Sequence, residues 1–139
     1  MAARLPHPIV LRLVAIGLLF PSTLGAGFWS MLGFGFVADA LLRSQHPGTA
    51  AAVLAAIVAG WIGLGTAWRL YYCLLRQELG FDRRRAGWGL AIGALVATGL
   101  AALSGGSLLF RIGFYGWPLL AVAFFGAVLW RLRANGADL

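Results

Sequence analysis

The chain has 139 residues, 61% of them hydrophobic and only 11% charged, with a mean hydropathy of +0.87 and a formal net charge of +7. This balance excludes an ordinary soluble domain, and the single cysteine, Cys73, excludes an internal disulfide and any two-thiol redox or zinc motif. All eleven basic residues are arginines, and they flank apolar runs rather than lining a polar face, so the charge reads as membrane topology and not as a nucleic-acid footprint.

From the N-terminus, Arg4, an apolar run from Ile9 and the small residues after Pro21 have the layout of a secretory leader. The uncharged run nevertheless continues without a break from Leu13 to Ala38, so a retained first span over 13–38 is expected. Those residues would make about 39 Å of helix, more than the roughly 30 Å hydrocarbon core needs. Pro21 removes one backbone donor and crowds the carbonyl of Gly17, which predicts a kink there. Phe34 to Arg43 is read as a helical extension out of the far face, closed by Pro47 and Gly48.

The second span is read over 48–68. Small residues recur every four positions at Ala55, Ala59, Gly63 and Ala67, and again at Ala52, Ala56 and Gly60, so this helix should sit inside the bundle. Trp61, near its middle, is read as a packing or lipid-facing residue. The loop Arg69 to Arg85 carries five arginines. A continuation of the second helix through it would set Glu78 and Asp82 on one face.

A third span over 86–103 carries Gly89, Gly93, Ala97 and Ala101 at the same spacing, with Gly105 continuing the series. Such a stripe allows close van der Waals contact with another helix, either the second span or a second subunit. Ser104-Gly105-Gly106-Ser107 reads as a tight turn into a fourth span over 112–130, more aromatic than the third and containing Pro118.

Four spans place both termini on the side of the Arg69–Arg85 loop. That side holds nine arginines and the other only Arg43 and Arg111, which predicts cytoplasmic termini. The expected fold is an all-α integral membrane four-helix bundle in one domain covering 1–139. Arginine without lysine, together with abundant Ala, Gly and Leu, fits a GC-rich bacterial genome and hence an inner-membrane location.

The chemistry-bearing residues are sparse. His7 and His46 lie beside prolines outside the spans, and none of Asp39, Glu78, Asp82 and Asp138 falls at mid-membrane, so no haem ligand pair or proton relay is expected. No catalytic, cofactor or metal set is expected either. Asp39 and Arg43, four apart, form an outer polar pair available for a contact. Arg83, Arg84 and Arg85 at the boundary should attract anionic lipid headgroups. The expected function is a non-catalytic accessory or scaffold subunit of a bacterial inner-membrane assembly, with membrane lipids and other subunits as partners and no nucleic acid. The rival expectation is a small homo-oligomeric pore or transporter, with Ser22, Thr23, Ser30, Thr66 and Thr98 as the hydroxyls able to line a passage.

Overall fold

A computed structural model of the protein describes residues 7–43, 46–78, 80–103 and 108–134, giving only the backbone path for 103, 108–115, 133 and 134. Four helices run in chain order: α1 (Pro8–Leu42), α2 (Pro47–Leu75), α3 (Arg83–Leu103) and α4 (Leu108–Ala134). There is no strand among the described residues. Each helix packs on its neighbour in sequence, and α4 returns to the first half of α1, closing an antiparallel four-membered ring. The expected turn at Ser104–Ser107, the Gly105 continuation of the small-residue stripe and Arg4 lie outside the described residues.

Local chemistry accounts for the helix ends. Pro8 and Pro47 stand at the first turns of α1 and α2, where a missing donor costs nothing. The helix read as leaving the far face does continue to Leu42. At its other end α2 runs two turns beyond the expected 48–68 and stops at Leu75. Gln77 there adopts a left-handed conformation (φ 58°), with the Glu78 amide donating to the Cys73 carbonyl at 2.9 Å and the Gln77 amide to the Leu74 carbonyl at 3.3 Å. These two bonds satisfy orphan carbonyls of the last turn in the pattern usually completed by glycine. Glu78 and Asp82 therefore do not share a helical face, as a continued second helix would have required. Asp82 caps α3 instead, its carboxylate accepting from the amides of Arg84 (3.0 Å) and Arg85 (3.2 Å).

Pro21 does perturb α1, and the form is specific. The helix widens to a π-turn over Ala15–Leu19, with the Phe20 amide reaching back five residues to the Ala15 carbonyl. One extra residue in the turn absorbs the donor that Pro21 lacks. Ser22 and Thr23 then donate their hydroxyls to the Leu18 and Leu19 carbonyls at 2.6 and 2.7 Å, so the backbone around the defect is paired by side chains.

The main core lies at the end of the bundle where the α2–α3 loop sits, and all four helices feed it: Leu11 and Leu19, Leu70 and Leu74, Leu90, and Phe125 are buried together. Toward the other end, among the described residues, α1 and α2 meet through a second, smaller cluster of Val37, Ala40 and Ala50. Elsewhere the apolar side chains point outward. In the most apolar 18-residue windows of α1, α2 and α3 the protein buries only 22, 17 and 22% of the residues. These three helices are long and apolar enough to cross a membrane, and Gly116–Leu132 of α4 forms a shorter apolar stretch.

Candidate functional site

Among the described glycines, those of α2 and α3 meet backbone to backbone. A Cβ placed on Gly63 would meet the Gly93 Cα, with the Gly93 nitrogen at 2.9 Å and the Gly89 carbonyl oxygen at 3.3 Å. One placed on Gly89 would collide with the Thr66 side chain. The backbones thus touch where two glycines face each other, which any larger residue would forbid. Of the predicted packing residues, Gly63, Ala67, Gly89 and Ala97 are buried and Gly93 is half-buried. Ala59 and Ala101 are half-buried and Ala55 is exposed. Of the parallel series, Ala56 and Gly60 line a cleft that Gly63, Ala67, Gly93 and Ala97 also border, and Ala52 is exposed.

The α1–α2 contact is of a different kind. The Trp61 indole donates to the Ser30 hydroxyl at 2.9 Å, and the Trp68 indole donates to the Thr23 hydroxyl at 3.0 Å. Ser30 in turn donates to the Ala26 carbonyl at 2.7 Å. Both pairs are spaced by seven residues on each helix, so they form two rungs about 10 Å apart along one antiparallel seam. Sequence reading passed over them because it weighed each hydroxyl and each tryptophan singly. The signal was their matched spacing: 23 pairs with 68 and 30 with 61, as two antiparallel helices in one register demand.

Beyond Leu19 the ring opens. A partly open cleft of about 690 Å³ runs between α1 and α4, floored by α2 and α3, with Pro21, Trp29, Ser30, Trp61, Trp117 and Pro118 among its walls. The π-turn ends at Leu19, where the cleft begins, Pro21 lines it from α1, and Pro118 faces it from α4. Its described lining holds no ionisable side chain; the polar groups are serine hydroxyls and indole nitrogens. Of the hydroxyls considered for a passage, Ser22 and Ser30 line the cleft, Thr23 serves the Trp68 rung, Thr66 donates to the Ile62 carbonyl, and Thr98 is exposed. The structure does not bring them into one file.

Asp39 and Arg43 pair at 2.7 Å on the surface, both well exposed, an arrangement that contributes little to stability. At the opposite end Arg83, Arg84 and Arg85 form the first turn of α3. Like charge at the positive end of the helix dipole is unfavourable, and Asp82 offsets it through its cap and a 3.1 Å ion pair with Arg85. A small hollow of about 120 Å³ beside them is lined by Arg69, Arg85, Asp82, Cys73 and Thr66. Among the described residues no group of three His, Cys, Asp or Glu is placed to hold a metal.

No protein-family model, curated protein or solved structure matches this chain.

Proposed function

We propose that the chain is a four-span protein of a bacterial inner membrane, with both termini cytoplasmic, and that it serves as a non-catalytic accessory or scaffold subunit of a membrane assembly. The outward display of apolar side chains supports the membrane reading, because in water such a surface would far exceed what a monomer exposes in one patch. Orientation follows from the arginine asymmetry.

The observation that carries the subunit reading is the length of α1. From Leu13, just past Arg12, to Leu42 the helix measures about 45 Å. At an average tilt of about 20° the hydrocarbon core takes about 32 Å of it. About 13 Å, more than two turns, then stands at or beyond the far headgroups. That extension shows Phe34, Phe36, Leu41 and Leu42 to the outside, Leu42 at 86% exposure. These side chains give a partner an apolar surface to cover at the boundary, which supports the subunit reading. The pore alternative has less support, since Gly63, Gly89 and Gly93 are already engaged within the chain and the cleft ends against the Leu19 and Phe125 core.

A photo-crosslinking residue at Leu42, in cells expressing the chain at native level, tests this. Crosslinks to a different membrane protein are expected, and crosslinks only to lipid or to the same chain would sink the subunit reading.

A further inference from the structure

The end of the bundle that carries the α2–α3 loop is collared by arginine. Arg12, Arg69, Arg85 and Arg131, one on each helix, are all exposed, and each adjoins a buried core residue: Leu11, Leu70, Ala86 and Leu132. The exposed rings of Tyr72, Trp88 and Trp130 lie within three residues of Arg69, Arg85 and Arg131. Amphipathic aromatics beside arginine are the side chains of a headgroup boundary, so in the membrane reading the collar stands among lipid phosphates.

Two of these arginines converge. Thr66, Arg69, Leu70 and Cys73 stand at i, i+3, i+4 and i+7, one face of α2, and they line a single hollow with Asp82 and Arg85 at the start of α3. The Thr66 hydroxyl is committed to the Ile62 carbonyl, and Asp82 takes the amides of Arg84 and Arg85. Recognition of an anion therefore falls to the guanidinium groups. Asp82 offsets one of them through Arg85 Nε at 3.1 Å, while Arg69 has no ion pair or hydrogen bond among the described residues. Two guanidiniums against one carboxylate leave a positive charge uncompensated, at a boundary where the effective dielectric is below that of water. An oxyanion that both can reach removes the imbalance, and the forked donors of arginine match phosphate oxygens.

We propose that Arg69 and Arg85 clamp the phosphate of one anionic phospholipid in this hollow. The proposal rests on the membrane-spanning reading above. It goes beyond the general attraction of the first turn of α3 for acidic headgroups, because it assigns the contact to one residue on each of two helices. Free phosphate would meet the same guanidiniums, but a lipid is already concentrated at this level on every side of the bundle.

The test uses the full chain purified in a neutral detergent and titrated with phosphatidylglycerol, the bound lipid being counted by native mass spectrometry. Arg69→Gln and Arg85→Gln should each weaken binding about fivefold or more, and Arg69→Lys, which keeps the charge without the fork, should weaken it less than Arg69→Gln. Arg12→Gln and Arg131→Gln remove the same charge from the collar away from the hollow and should change binding by less than about twofold. All four arginines are exposed, so helical circular dichroism should be retained. Equal weakening by all four Gln variants, or none by Arg69→Gln, overturns the clamp and leaves the membrane reading standing. Displacement of the lipid by millimolar inorganic phosphate overturns the lipid as the occupant. Release of the chain from its membranes by alkaline carbonate overturns the membrane reading itself, and the clamp with it.

Discussion

Gly63→Ala is the sharpest perturbation of the fold. The added methyl meets backbone on every side, Gly93 Cα and nitrogen and the Gly89 carbonyl, so no side chain can rotate away to make room. Restoring a contact distance of about 3.5–4.0 Å from the Gly93 nitrogen, now 2.9 Å from the new Cβ, requires α2 and α3 to part by on the order of 1 Å. A gap of that size forfeits about a quarter to a half of the attraction at each contact along the seam. Overpacking of this kind costs roughly 1–3 kcal/mol, offset by up to about 1 kcal/mol of helix propensity gained over glycine. The net expectation is a loss of about 1–2 kcal/mol, and more for Gly63→Leu. Gly65→Ala is the matched control: it lies on the same helix with nothing within 4 Å of its Cβ and should be neutral or slightly stabilising. Reversible unfolding in mixed micelles with a rising mole fraction of denaturing detergent, followed by circular dichroism, reads both. Equal stability of the two variants would refute the backbone contact. Unchanged stability with a changed oligomeric mass would move the glycine seam to an interface between chains.

The same seam predicts that Gly89→Ala destabilises and that adding Thr66→Ala recovers part of the loss, since Thr66 is the side chain in its way; a double-mutant cycle in the same assay should show coupling of about 0.5–3 kcal/mol. Gln77→Gly should stabilise by roughly 0.5–1 kcal/mol, because glycine takes the left-handed conformation without a Cβ penalty, and a loss of stability would contradict the helix stop described for α2. Trp61→Phe and Ser30→Ala should each cost on the order of 1 kcal/mol, and the double variant little more than either alone, since both remove the same bond; full additivity in the unfolding assay would show that the rung is not shared. Arg83, Arg84 and Arg85 replaced together by Gln should weaken capture of labelled phosphatidylglycerol several-fold, and unchanged capture would remove the headgroup role of that turn.

Much of this architecture was legible in the sequence because it is written in one-dimensional spacing. Apolar runs bounded by arginine give the helices, and glycine or alanine every fourth residue gives a face on which backbones can meet, as Gly63 and Gly93 do. Pro21 marked the irregular point of α1, but proline chemistry alone does not choose between a sharp kink and a π-turn, and the Ser22 and Thr23 hydroxyls that pair the carbonyls beside it could not be assigned from spacing. The end of α2 was harder to read, since Gln77 takes a conformation normally signalled by glycine. The cleft was not legible at all. Its walls come from all four helices, and how far apart α1 and α4 stand is a property of two helices remote in sequence.

The mass of the protein in native-lipid particles, extracted at its natural expression level, tests the subunit reading most directly. The account predicts a particle containing other protein chains, from which Leu41→Gln with Leu42→Gln releases this chain while its helical content is retained. A particle holding this chain alone, as a monomer or as a closed ring, would contradict it.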